Sequence, residues 1–283
     1  MSIRPDITIT AMRREINFIN KINDGSKKIG ELHFNKNIYR NFNKPYLPNI
    51  LNEYITNRWQ GKLIKEIKKL DAFIVLTEED KAMWGNLKNI KVIYNPIKLF
   101  PENASTCLNR KVIAVGRYTE QKGFDMLIDA WTIVQAKHPD WLLNIYGSGN
   151  NNFYQELAIK KNVGKTIRCN SAVKDIYQKY IDSSIFVLSS RYEGFVLALI
   201  EALSCGLPAV AYECPCGPKE VITNNYNGYL VEKNNIHGLA NKICLLIEDE
   251  ENRIRMGINA KRSVVRFKEN KIMENWIELF KSL

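Results

Sequence analysis

The stretch Lys111-Val112-Ile113-Ala114-Val115-Gly116-Arg117-Tyr118-Thr119-Glu120-Gln121-Lys122-Gly123 decides the fold. A short apolar strand stops at a glycine, a polar loop follows, and helical periodicity over about Phe124–Lys137 begins at once. The same unit returns at residues 141–146 with 153–161, and at 185–189 with 196–204. Strand signals at 166–169, 209–212 and 228–231, and helices near 237–247 and 251–267, extend the alternation. This pattern predicts a mostly parallel sheet with helical crossovers, so the fold class is α/β and residues 101–268 form a Rossmann-like domain.

Upstream the units thin out. Residues 6–10, 28–31 and 73–76 read as strands and about 55–70 as a helix, fewer strands than a full Rossmann-like domain normally has. Residues 1–100 are therefore expected to form a shortened N-terminal domain of that class. Asn95-Pro96-Ile97 and the polar segment 101–109 serve as the connector, since prolines and small polar residues break both periodicities. A last helix at 269–283, running through Trp276, is expected to pack toward the first domain.

A chain of 283 residues with 45% apolar side chains can support two modest cores. Its six cysteines, Cys107, Cys169, Cys205, Cys214, Cys216 and Cys244, include no CxxC pair, and it has only three histidines. A reduced, metal-free chain fits that usage, with Cys214-Pro215-Cys216 read as a structural turn. No run approaches the roughly 20 apolar residues of a spanning helix, and Met1-Ser2-Ile3-Arg4-Pro5-Asp6 opens no apolar signal core, so a cytoplasmic location is expected.

The net charge of +11 is uneven: residues 1–100 carry 18 Lys and Arg against 10 Asp and Glu, and the remainder 23 against 20. Much of the excess lies near Arg58–Leu70, where Leu63, Ile67 and Leu70 share one helical face and lysines occupy the others. Two readings stand, a solvated surface helix or peripheral contact with an anionic membrane. Nucleic acid is not expected as a partner, because no platform of interleaved aromatic and basic residues is present.

Three segments carry candidate chemistry. The loop 116–123 sits at the carboxyl edge of the sheet, where open α/β folds bind ligands, and offers Arg117 and Lys122 to a diphosphate; ordinary loop solubility is the alternative. Tyr146-Gly147-Ser148-Gly149 resembles a fragment of a dinucleotide fingerprint but lacks a well-placed acidic partner about 20 residues on. In Ser190-Arg191-Tyr192-Glu193-Gly194-Phe195-Val196-Leu197-Ala198-Leu199-Ile200-Glu201, two carboxylates stand eight residues apart around a glycine turn opening an apolar helix. Amides at Gly194, Phe195 and Val196 suit a phosphate, and an enclosed Glu201 needs donors such as a ribose diol. Helix-start electrostatics for Glu193 and a structural ion pair for Glu201 remain the alternatives.

With those residues assembled, the chain resembles bacterial glycosyltransferase family 4, across nearly all of 91–283 and more weakly around His33. The resemblance implies a GT-B fold of two Rossmann-like domains, the first, on the acceptor side, incomplete here. It assigns Gly116, Arg117 and Lys122 to the donor diphosphate, Glu193 to the transferred sugar and Glu201 to the ribose; His33 resembles a histidine beside that sugar. Gly147, Gly194, Phe195 and Val196 complete the donor set. Val196 departs from the pattern, since the family usually carries a small residue there. The implied activity is retaining transfer of a hexose-type sugar from a nucleoside diphosphate, UDP in preference to GDP, to a hydroxyl of a surface polysaccharide or lipid-linked glycan precursor. No cofactor or divalent ion is expected beyond that donor substrate. The shortened first domain leaves open a fragment, a reduced enzyme or a noncatalytic donor-binding or scaffolding remnant, and the 147–149 glycines leave an NAD-dependent enzyme as an alternative.

Overall fold

The computed structural model describes residues 4–37, 39 and 47–283; Met1-Ser2-Ile3 of the sequence reading lies outside the described residues. The chain divides into two units, Met1–Asn95 with Ile272–Leu283, and Pro96–Lys271.

In the first unit, β1 (Ile7–Thr10), β2 (Lys27–Glu31), β3 (Ala72–Val75) and β4 (Ile90–Val92) form a parallel sheet in chain order. β3 shows why an unbroken apolar run makes a strand here: Phe73 and Val75 join one cluster with Leu63, Ile67 and Trp84, while Ala72 and Ile74 join another with Ile29 and Ile93. A parallel strand covered on both faces needs apolar residues at every position. The helix α1 (Asn49–Ile67) begins six residues before the expected start at 55 and ends three before 70. Its first two turns expose Ile50, Leu51 and Tyr54, so no inward stripe announces it; Leu63 and Ile67 are buried, and Leu70 is buried just beyond the helix. The short α2 (Glu78–Met83), unanticipated, is capped by Thr77, whose hydroxyl accepts from the Asp80 amide at 3.0 Å.

The second unit alternates without interruption. β5 (Lys111–Val115), α3 (Phe124–Lys137), β6 (Leu142–Gly147), α4 (Asn151–Lys160), β7 (Ile167–Ser171), α5 (Ile176–Ile181) and β8 (Ile185–Leu188) lead to α6 (Leu197–Ser204). Then come β9 (Ala209–Tyr212), α7 (Pro218–Val221), β10 (Gly228–Val231), α8 (Ile236–Glu248) and α9 (Glu250–Ser263). The six strands are parallel in the order β10-β9-β8-β5-β6-β7, with a core that includes Trp131, Leu143, Ile145, Val187 and Val210. This is the doubly wound Rossmann order. Successive strands run outward from β5 in one direction and from β8 in the other, so the β5–β8 pair, with Val112 opposite Ile185, is the switch point where a crevice opens at the carboxyl edge.

After α9 the chain returns to the first unit through α10 (Glu269–Lys281), which buries Ile272 and Leu279 against Ile29, Ala72, Ile74 and Ile93. Lys91 Nζ lies 3.1 Å from Ser282 Oγ at the end of this segment. Two α/β units on all-parallel sheets are thus present, with four strands in the first unit among the described residues and six in the second.

Candidate functional site at the switch point of the second sheet

The two loops that the sequence singles out leave adjacent strands. The loop 116–123 follows β5 and the segment 189–196 follows β8, so both emerge at the carboxyl edge of the switch point. Glycines set how closely they lie. A Cβ on Gly147 at the end of β6 would collide with the Gly116 carbonyl oxygen, and one on Gly123, at φ 61°, with that of Ser189. The 147–149 glycines therefore serve close backbone approach to the neighbouring loop: Tyr118 N–H donates to the Ser148 carbonyl at 2.8 Å, and the Tyr118 hydroxyl lies 2.9 Å from the carbonyls of Ile145 and Asn170.

Gly116 also gives Lys122 its path. A Cβ there would stand 3.0 Å from Cδ and Cε of the lysine stem, which runs past the glycine to place Nζ 2.7 Å from Glu193 Oε1. These side chains are 15% and 6% exposed, so the charges are largely withdrawn from water and hold one another. Arg117 points into solvent, with no carboxylate in ion-pair range among the described residues. One loop cation is thus sequestered on Glu193 and the other exposed.

Phe195 packs edge-on against Phe267 with centroids 6.0 Å apart. Val196, the departure from the family pattern, is buried, and its Cγ1 fills the space a Cβ on Gly217 would need, 2.7 Å away. The added side chain leans on the turn containing Cys216 and Gly217. Cys214 and Cys216 in that turn are buried, and burial pushes the Cys214 thiol up to about 12. Beyond Val196, α6 begins with no side-chain cap, as do α1, α3 and α7, whereas Asn150, Asp175, Asn235 and Asp249 cap α4, α5, α8 and α9. At the start of α3 the Asp125 carboxylate itself accepts from the Asp125 and Met126 amides, whereas the opening amides of α6 have no side-chain cap.

Glu201 lies one turn further along α6. Burial raises its carboxyl pKa, against the opposing effect of the Tyr180 hydroxyl, which stands 3.5 Å from Oε2. Glu201 keeps partial exposure, so its carboxylate remains open to donors from outside the helix.

Sequence reading missed the groups that bind the two loops together. Arg191 forks onto Asp125, with Nη1 to Oδ1 at 2.9 Å and Nη2 to Oδ2 at 2.6 Å, and Nη1 also donates to the Glu120 carbonyl at 2.6 Å. The partners are 66 residues apart, beyond any local pattern; only the charges of an arginine and a helix-start aspartate were visible. Ser190, also unassigned, has a buried hydroxyl with no partner among the described residues.

His33 belongs to the first unit and is described apart from these groups. It follows β2, half-exposed, with Nε2 3.5 Å from Glu31 Oε1; that carboxylate raises the imidazole pKa, partly opposed by burial. At the opposite edge of the second sheet, where α3 ends, His138, Cys244 and Glu248 bring three ligand-type atoms within 4.8 Å, but His138 Nε2 and Glu248 Oε1 already meet directly at 3.0 Å.

The sequence profile described as "Glycosyl transferases group 1" matches residues 99–263, more than half of the chain and the whole of the switch-point site. The chain belongs to this family. Among its relatives, an uncharacterized glycosyltransferase of Haemophilus influenzae is 35% identical over 228 residues, covering 77% of this chain and 63% of that protein. A Staphylococcus aureus poly(ribitol-phosphate) alpha-N-acetylglucosaminyltransferase is 29% identical over 236 residues, covering 78% and 46% respectively. The chain therefore spans less than two thirds of either relative. The crystal structure of TarM superposes with a TM-score of 0.77 at 25% identity, covering 93% of this chain and 52% of that one. Within the family, the two parallel-sheet units are those of the GT-B fold. No helix among the described residues is long and apolar enough to cross a membrane.

Proposed function

We propose that the chain is the donor-binding and catalytic part of a retaining glycosyltransferase that moves a hexose-type sugar from UDP to a hydroxyl of a surface polysaccharide or lipid-linked glycan precursor. The observation that carries this reading is the convergence of Lys122 and Glu193 at the β5–β8 switch point, beside the uncapped start of α6. The chemistry of each group fits a nucleotide sugar. Glu201, partly buried on α6, accepts from the ribose hydroxyls; the amides opening α6 and the cations Arg117 and Lys122 take the diphosphate; Glu193 orients the sugar.

Charge grows on the diphosphate as the glycosidic bond breaks, so a cation held beforehand largely away from water, as Lys122 is, stabilises the transition state more than the bound donor. On the front-face route that the family resemblance implies, a departing phosphate oxygen takes the proton of the incoming hydroxyl, and Glu193 forms no covalent bond. In the free protein Glu193 holds Lys122, and the arriving diphosphate competes for that ammonium, linking donor binding to release of the carboxylate toward the sugar. His33 is assigned to the acceptor side by resemblance alone. The apolar residues Ile50, Leu51, Tyr54 and Trp59 exposed on α1, beside Arg58, Lys62 and Lys65, support peripheral contact with an anionic membrane surface.

Calorimetric titration with UDP and GDP, followed by incubation with a panel of UDP-sugars and hydroxyl acceptors, tests the reading. Saturable UDP binding with glycosylated product supports it. Binding without transfer or donor hydrolysis favours a donor-binding remnant, and no affinity for any nucleoside diphosphate removes the proposal altogether.

A further inference from the structure

We propose that Arg191 is a positioning residue of the donor site, strapping the loop that carries Lys122 to the loop that carries Glu193; this rests on the donor-binding reading above. Arg191 lies two residues before Glu193, yet its guanidinium reaches across the switch point. It takes both carboxylate oxygens of Asp125, at 2.9 and 2.6 Å, in the first turn of α3, and the Glu120 carbonyl at 2.6 Å in the loop itself. Those two anchors bracket Lys122. Backbone and side-chain bonds complete the strap: Arg191 N–H donates to the Gln121 carbonyl at 2.8 Å, Gln121 Nε2 to the Tyr192 carbonyl at 3.0 Å, and Ser189 Oγ to the Lys122 carbonyl at 2.9 Å. Four consecutive residues of the basic loop, Glu120 to Gly123, are thereby held by or packed against Ser189, Arg191 and Tyr192.

Two physical consequences give the arrangement a purpose in ligand binding. A carboxylate at the start of α3 opposes an anion arriving at that edge, and the bidentate fork neutralises Asp125 while leaving Lys122 and Arg117 for the ligand. Only a planar guanidinium can serve two carboxylate oxygens and a carbonyl together; a lysine offers one centre. The Arg191 and Asp125 side chains are 24% and 41% exposed, so the pair adds little to global stability, and its loss should loosen the loop without unfolding the domain.

The test is a set of UDP titrations on the full chain and on Arg191→Ala, Arg191→Lys, Lys122→Ala and the Arg191→Ala/Lys122→Ala double variant, with melting curves and hydrogen exchange over residues 117–123. Arg191→Ala is expected to weaken UDP binding about tenfold, to speed exchange in the loop, and to leave the melt within a few degrees of wild type, with Arg191→Lys restoring only part of the affinity. The loss from Lys122→Ala should shrink in the Arg191→Ala background, because the lysine is already out of place; a general loss of stability would not produce that non-additivity. Should Arg191→Ala lose its cooperative melt, Arg191→Lys carries the comparison. Unchanged loop exchange, additive losses, or equal UDP affinity in Arg191→Ala overturns the strap while leaving the donor reading intact. A wild-type chain that binds no UDP overturns the donor reading and, with it, the role given to Arg191.

Discussion

Lys122 Nζ and Glu193 Oε1 meet at 2.7 Å across two loops that are 71 residues apart in sequence. Removing either partner takes the direct counter-charge from a mostly buried ionic group, and breaking an enclosed pair in this way costs about 3 kcal/mol or more. Lys122→Ala and Glu193→Ala should therefore each lower the melting temperature by several degrees, and the double variant should lose less than the sum. Function should separate them: Lys122→Ala weakens UDP binding and transfer together, whereas Glu193→Ala reduces transfer more than UDP affinity. Full turnover in both singles would remove the assigned roles.

Glu201 offers the opposite balance. Its pKa is raised chiefly by burial, so the folded state binds a proton more readily than the unfolded chain, and the ionised carboxylate costs stability as pH rises through the raised folded value. Glu201→Gln is expected to leave the melting temperature unchanged or slightly higher at pH 7. The same substitution should weaken UDP binding about tenfold and abolish the preference for UDP over 2′-deoxy-UDP, measured by competitive titration.

His33 and Glu31 give a pH signature confined to the first unit. The carboxylate raises the imidazole pKa above its ordinary 6.5, so the interaction stabilises the fold fully below that value and is lost as pH rises through the folded pKa. An NMR titration of the imidazole protons should show the upward shift, and Glu31→Gln should bring the midpoint down. A midpoint that does not move would mean that the 3.5 Å approach is inconsequential.

The exposed face of α1 predicts salt-sensitive association with vesicles. Sedimentation with anionic phospholipid vesicles should fall as salt rises from about 0.05 to 0.5 M, since screening weakens surface attraction within roughly a Debye length. Changing Ile50 and Trp59 to serine should weaken it further. Equal sedimentation with neutral vesicles would exclude the electrostatic part of the contact.

Periodicity located the elements whose strands are covered on both faces and whose turns carry glycine: β5, α3, β9 and β10 begin and end where the apolar pattern does. It failed where burial is one-sided or brief. β4 has three residues with Lys91 exposed, and α5 has six residues with only Tyr180 buried. At the candidate site, the residue types of Lys122, Glu193 and Glu201 were legible, but their partnership was not. The Lys122–Glu193 and Arg191–Asp125 pairs are produced by the strand order, which brings β5 beside β8 across more than 60 residues of chain. Even Val196 is intelligible only in three dimensions, against the bare backbone of Gly217.

The return of the chain through α10 decouples sequence position from structural loyalty. A stop codon introduced after Lys271 would spare the six-stranded sheet and strip the four-stranded one of Ile272 and Leu279, each worth about 2–3 kcal/mol of buried apolar surface. The injury would surface some two hundred residues upstream of the cut, in the layer built on Ile29, Ala72 and Ile74.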